Sequence, residues 1–232
     1  MASTPRWRAA LTKALNLPEN KYQNVYQLAT VDANDDPRSR TVVHRDILSP
    51  EGYQNLPILL TTTDVRTPKV SQIRGHPRVE ITWWMGGSQD QWRIYGPVRL
   101  VPSPDVKIDS RSASQPSLAL DRMDEQGFDW EKKRLDVFDG MSAHMKASWC
   151  RPPPGSTIKS YDEAKKWPQT VPKLGEAETD EDKRNQEQAL RNFALVLVEA
   201  VEVDWVQLAE KPNQRTRFTR NGEEWKEEII VP

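Results

Sequence analysis

Apolar residues Trp7, Ala10, Leu11, Ala14 and Leu15 recur at helical spacing over residues 6–17, and the run stops before Pro18. This pattern predicts an amphipathic first helix. From Val25 the period shortens. Residues 25–31 are a β-prone run, Asn34-Asp35-Asp36-Pro37 is a cluster of turn formers, and residues 39–48 resume as a strand, so a hairpin is expected. Residues 57–63 read as a third strand, residues 67–74 as a helix closed by Gly75, and residues 78–85 as a further strand. Gly86-Gly87-Ser88 then turns the chain into residues 91–101, a second hairpin.

Residues 102–116 are polar and proline-punctuated, which predicts a loop or crossover, and a helix is expected at about residues 130–138. Pro152-Pro153-Pro154-Gly155 ends any regular element. Acidic and basic residues alternate over 156–183, so an exposed insertion at about 156–190 is expected, with one short helical piece and no functional role. β character returns at 193–198 and continues past a bend over 201–208. Asn221-Gly222, between strands at 215–220 and 224–231, is a strong hairpin signal. Many short strands, few helices and no βαβ rhythm predict a mainly β protein, an antiparallel β-barrel with flanking helices, in one domain over residues 1–232.

Composition narrows the function classes. The chain has 33 Lys+Arg against 34 Asp+Glu, a net charge of -1, and so lacks the basic excess of a nucleic-acid binder. No run approaches the roughly 18 apolar residues of a membrane-spanning helix. The single cysteine, Cys150, excludes an intramolecular disulfide and fits a reducing compartment, so a soluble, cytoplasmic protein is expected. No Cys/His pair has metal-ligand spacing, and no phosphate-loop, dinucleotide-fold or nucleophile-elbow motif appears.

Four clusters carry possible chemistry. The first is residues 61–74, a strand running into a helix with Thr67 as N-cap, Pro68 at the first helical position, and Arg66 and Lys69 beside the start. A helix start presents unpaired N–H groups and the positive end of the macrodipole, so flanking cations suit an anion. On these residues alone two readings stand: an anion site, or a capped surface helix with solvated charges. The second cluster is Arg38-Ser39-Arg40-Thr41-Val42-Val43-His44-Arg45, where a regular strand puts Arg40 and Arg45 on opposite faces. Only a bulge or the strand end lets both reach one pocket. Gln91-Trp92-Arg93-Ile94-Tyr95-Gly96 and Arg215-Thr216-Arg217-Phe218 complete the set.

In their order and spacing, residues 22–101 resemble the FMN-binding split barrels of the pyridoxamine 5'-phosphate oxidase type, in the branch whose substrates are mostly unassigned. The resemblance is carried by Leu28-Ala29-Thr30-Val31-Asp32, Pro37 to Arg45, Thr61 to Ile73, Pro77-Arg78-Val79-Glu80 with Trp83-Trp84, and Gln91 to Leu100. It thins over residues 145–155, the strand from Asn192, Arg217-Phe218 and the C-terminus. It implies a six-stranded antiparallel split barrel in a homodimer, with one FMN in each cleft between subunits. On the same footing, Arg40, Thr41, Val42, Val43 and Arg45 would line the flavin by side chain and main chain. Thr62, Thr63, Arg66 and Lys69 would hold its phosphate and ribityl chain. Gln91 would reach the ring from the second subunit, and Arg217 would lie close to the flavin. A phosphomonoester carries about -1.5 to -2 charge near pH 7, to which Arg40, Arg66 and Lys69 are matched.

The chain departs from the vitamin B6 oxidases in the substrate half. Counted back from Trp149, Asp136, Gly140 and His144 replace the Tyr, Arg and Ser that hold substrate phosphate in that family. Asn213 and Arg215 stand where its Arg-x-His is expected. Val206, with Trp205 beside it, takes the place of its late flavin-stacking tryptophan. The expectation is an FMN-dependent oxidoreductase using NAD(P)H or a small-molecule substrate, with B6 phosphate oxidation not expected and no acid or base assigned. His44 reads first as a structural strand residue. The alternatives are a non-catalytic flavin-binding or interaction module and, more distantly, a barrel that has changed ligand to haem or another flavin.

Overall fold

A computed structural model describes residues 4–108 and 117–232 of the chain; residues 109–116 of the expected 102–116 loop lie outside the described residues. Helix α1 (Arg6–Leu15) buries Trp7, Leu11 and Ala14, as its spacing requires. The first hairpin is β1 (Val25–Val31) and β2 (Pro37–Val43), with Asp35 at φ 62° in its turn. There follow β3 (Asp46–Leu48), β4 (Ile58–Asp64), α2 (Pro68–Gly75), β5 (Arg78–Met85) and β6 (Asp90–Val101). Helices α3 (Leu118–Glu125), α4 (Trp130–Asp139), α5 (Ala143–Ala147) and α6 (Asp180–Asn192) precede β7 (Phe193–Glu199), β8 (Glu202–Gln207), β9 (Gln214–Asn221) and β10 (Glu224–Ile229).

All the strand pairs are antiparallel, and two paths share β6. One runs β10-β9-β8-β6-β5-β1-β2; the other runs β6-β7-β4-β3. The first half of β6 lies between β5 and β8, and its last residues, 98–101, pair with β7. The chain therefore bends between β7 and β8 where it passes Gly96. A Cβ there would lie 1.8 Å from the Glu199 carbonyl oxygen, so only glycine fits.

The expected mainly β, antiparallel architecture with flanking helices is present; the described residues form ten strands in all, and the split sheet does not close into a complete ladder. The gap lies between β2 and β4. The strand expected over 39–48 breaks at His44, because successive N–H groups bond in different directions, His44 to the Asn24 carbonyl at 2.8 Å and Arg45 to the Leu60 carbonyl at 2.9 Å. Thr61 Oγ1 donates to the Val43 carbonyl at 2.7 Å, so the two strands are tied at one end.

Strand β7 is buried along its whole length and separates two cores. Val196 and Val198 face the barrel interior with Leu28, Trp83, Trp92 and Phe218, whereas Phe193, Leu195 and Leu197 face a second core with Phe138, Trp149 and Ala189. That second core is where α3, α4 and α6 pack. Helix α6 starts in a capping box between Thr179 and Asp182 and buries only Ala189 and Asn192. No helix among the described residues is long and apolar enough to cross a membrane.

Candidate functional site

The end of β4 delivers Thr62 and Thr63, and a turn of three residues leads to Pro68 at the first position of α2. Thr67 is the N-cap by position, but its hydroxyl does not cap. It donates to the Asp64 carbonyl at 2.8 Å and lies 3.1 Å from Thr63 Oγ1. No side chain therefore closes the helix start, and Lys69 Nζ folds back over it to donate to Thr63 Oγ1 at 3.0 Å.

Arg40 arrives from β2. Its guanidinium donates to Thr30 Oγ1 at 2.6 Å and to Gln72 Oε1 at 2.8 Å, one turn along α2 from Lys69. Burial and the charge of Arg40 push the Lys69 ammonium down to about 8, with Asp64 opposing, and burial holds Arg40 below its ordinary value. Among the described residues neither cation has a carboxylate within ion-pair distance. Two like charges are thus held near one another without an ion-pair partner, the nearby Asp64 being engaged by Arg66, an arrangement suited to an anion.

Arg66 is placed differently. Its Nε donates to Asp64 Oδ1 at 2.9 Å, and its Nη2 to Asp64 Oδ2 at 2.6 Å and to the Trp149 carbonyl at 3.3 Å. Neither it nor Arg40 is among the residues lining the adjoining cavity of about 420 Å³, whose wall includes Thr62, Thr63, Lys69, Ser148, Arg151 and Trp167, together with Asp64.

The first strand cluster is resolved by where β2 ends. Thr41 is exposed, Val42 is 7% exposed in the barrel core, and Val43 offers its carbonyl to Thr61. Arg45 lies beyond the strand end, which removes the conflict of faces. Its Nη2 lies 2.9 Å from Met145 Sδ and its buried Nε has no partner. His44 packs its ring 4.7 Å from Trp83 and 6.1 Å from Tyr26, and burial holds it down at about 4.

Gln91 and Arg217 are elsewhere. Thr62 pairs with Leu195, and Leu195 with Val101, so Gln91 lies ten positions away along β6 from the level of Thr62. At ~3.3 Å per residue that is roughly 33 Å of strand. Gln91 sits between Trp84 and Val206 on the outer face of the sheet, where Trp84 is 41% and Tyr95 37% exposed. On that face Asp204 takes Arg215 Nη2 at 2.7 Å and Arg93 Nη2 at 2.8 Å, while Arg217 Nε is buried without a partner. Trp205 stacks on Trp92 at 4.6 Å and donates to Asp90, which makes it a core residue; Val206 is the one beside Gln91.

Ser148, Arg151 and Trp167 were not legible as site residues. The 156–183 stretch, expected to carry no function, supplies Trp167, Ser156 and Ile158 to the cavity wall. Its one sequence clue is the rigid Pro152-Pro153-Pro154 neck directly after Arg151.

Cations without ion-pair partners at an uncapped helix start, on a split antiparallel sheet, are groups suited to an anion such as a phosphate. Residues 4–102 match the family model described as pyridoxamine 5'-phosphate oxidase, FMN-binding domain, and FMN is the cofactor that this match implies. The chain is 25% identical to the Arabidopsis thaliana protein named pyridoxine/pyridoxamine 5'-phosphate oxidase 2, over 97% of this chain and 96% of that protein. Its fold is similar to that of a pyridoxamine 5'-phosphate oxidase-related, FMN binding protein from Nostoc punctiforme, with TM-score 0.72 and 26% identity over 99% of this chain and 100% of that one. It is also similar in fold to PhzG from Burkholderia lata, solved with tetrahydrophenazine-1-carboxylic acid, with TM-score 0.58 and 14% identity over 98% and 89% of the two chains.

Proposed function

We propose that this chain is a cytoplasmic, homodimeric FMN-dependent oxidoreductase, with the flavin phosphate held at the start of α2. The observation that carries the reading is the pairing of Arg40 and Lys69, two cations without carboxylate partners, beside Thr62 and Thr63. A flavin phosphate supplies the missing counter-charge. When bound, FMN supplies the electron transfer; the protein's residues bind, orient and exclude water. Arg40, Lys69, Thr62 and Thr63 anchor the phosphate end. Thr41, Val42, Val43 and Arg45 follow along one strand edge toward the ring end, and Arg66 fixes the turn between β4 and α2. Gln91 and Arg217 serve the site of the second subunit, which the long separation along β6 favours.

The substrate is a small molecule other than a B6 phosphate, with NAD(P)H as a candidate donor. Arg215, at the position of the histidine of the substrate-covering Arg-x-His in the B6 oxidases, already commits its charge to Asp204. The same pairing is what favours the second reading, a flavin-binding module without turnover. The visible spectrum of the purified protein, followed by anaerobic mixing with NADH or NADPH, tests both. A flavin spectrum that bleaches rapidly supports the oxidoreductase, and one that never bleaches supports the module. A colourless protein that takes up no added FMN removes both.

A further inference from the structure

We infer that Arg151 is a phosphate-binding residue of this flavin site, the cation that completes the set in which sequence order places Arg66. The inference rests on the flavin reading above and concerns which side chains meet the phosphate. Arg66 is less suited to that contact, since its Nε and Nη2 are both committed to Asp64. Arg151 is on the cavity wall with Lys69, Thr62 and Thr63. Among the described residues its side chain makes no ion pair, and its Nε is buried without a hydrogen-bond partner. A buried guanidinium nitrogen without an acceptor is costly, and an anion in the adjoining cavity supplies one.

The position is built rather than incidental. Upstream, Trp149 is pinned by its indole N–H on the Thr63 carbonyl at 3.2 Å and by Asn192 Nδ2 on its own carbonyl at 2.8 Å. Downstream, the wall that runs to Trp167 is fastened by Gln169 Nε2 to the Trp167 carbonyl at 2.8 Å, by His144 Nδ1 to the Gln169 carbonyl at 3.0 Å, and by Val171 N to the Ala143 carbonyl at 3.0 Å. Arg151 is therefore held between two anchored segments, with the proline neck limiting its backbone. The 152–167 segment contributes Ser156, Ile158 and Trp167 to the wall that Lys69 also lines, and the neck at its start carries a cation that strand and helix do not provide.

Titration calorimetry on flavin-stripped full-length protein tests this with FMN and with riboflavin, which lacks the phosphate. Arg151→Ala is expected to weaken FMN binding by roughly ten- to a hundredfold and to leave riboflavin within about threefold of wild type. Arg151→Lys, which keeps the charge and the neck, is expected to recover most of the FMN affinity. An Arg151→Ala protein that binds FMN within about threefold of wild type overturns the inference, as do equal losses for both ligands. If Arg151→Ala does not fold, the same comparison is read on Arg151→Gln. A wild-type chain that binds neither ligand removes the flavin reading itself, a result distinct from the loss of Arg151's role alone.

Discussion

Arg66 grips Asp64, two positions earlier in the same turn, through two parallel hydrogen bonds of 2.9 and 2.6 Å, with Asp64 only 8% exposed. The pair fixes the connection between β4 and α2, and its charges cancel. Lys69, three residues on, has no such partner. The two cations flanking the helix start therefore have separable roles, one structural and one for the ligand. Arg66→Ala leaves a buried carboxylate unpaired and is expected to cost about 2 kcal/mol of stability, seen as a lower denaturation midpoint. Lys69→Ala is expected to change stability little and to weaken FMN at least about tenfold more than riboflavin. A Lys69→Ala protein with equal losses for both ligands places the phosphate elsewhere.

Lys69 also predicts a pH dependence of two opposite signs. In the free protein burial and Arg40 hold its ammonium down at about 8, against an ordinary value of 10.5. A phosphate dianion raises it again. FMN binding is then coupled to proton uptake above pH 8, and affinity is expected to be level below that pH and to fall above it. Stability of the flavin-free protein moves the other way. Between pH 8 and 10.5 the unfolded chain holds the proton that the folded chain has lost, so this group's contribution rises with pH. Lys69→Met is expected to remove both trends in calorimetric titrations and melting curves between pH 7 and about 10.

The Thr61 to Arg74 region was legible because its signals are local: a β run, then Thr67 and Pro68 at helical start positions, then the 3.6-residue period. What sequence does not reveal there is pairing. Whether Arg66 meets a ligand or Asp64 depends on the backbone of the turn, and both outcomes share one sequence. Helix α6 was missed for a different reason: it buries only Ala189 and Asn192, so it shows almost no apolar stripe. Arg151 was missed because its relevance is long-range. It shares a cavity wall with Thr63 and Lys69 only after the chain has passed through β5, β6 and three helices.

His44 is expected to act through packing. Burial between Tyr26 and Trp83 holds its imidazole down at about 4, with Asp46 partly opposing, so the ring is neutral at physiological pH. The unfolded chain takes up a proton at about 6.5 and the folded one only near 4. Stability is therefore lost as pH falls through that window. His44→Phe is expected to flatten the loss, measured as the change in melting temperature between pH 7 and about 4.5, and to leave FMN affinity near wild type. A His44 resonance titrating near its ordinary value in the folded protein would count against this placement.

Gly96 is expected to tolerate no side chain. An added Cβ would lie 1.8 Å from the Glu199 carbonyl oxygen, and that is backbone, which cannot swing aside. Gly96→Ala must separate β6 from the β7–β8 bend, at a cost of at least about 3 kcal/mol. Chemical denaturation reads this directly. Gly75→Ala, where nothing lies within 4 Å of the added Cβ, serves as the control.

The separation of Thr62 from Gln91 makes the strongest test of the dimer. Gln91 lies on the outer face of β6 beside the exposed ring of Trp84, roughly 33 Å of strand from the level of Thr62 at ~3.3 Å per residue. If each site takes Lys69 from one protomer and Gln91 from its partner, Lys69→Ala and Gln91→Ala proteins are each defective alone. A two-fold dimer of one with the other concentrates both lesions in one site and leaves the second intact. Mixing the two under subunit exchange is therefore expected to restore FMN binding to at most about one site per mixed dimer. Trp84→Asp, aimed at the same face, is expected to yield monomers on sedimentation and to block that recovery. Failure to recover, with both variants folded and dimeric and each defective alone, would place Lys69 and Gln91 in the site of one protomer.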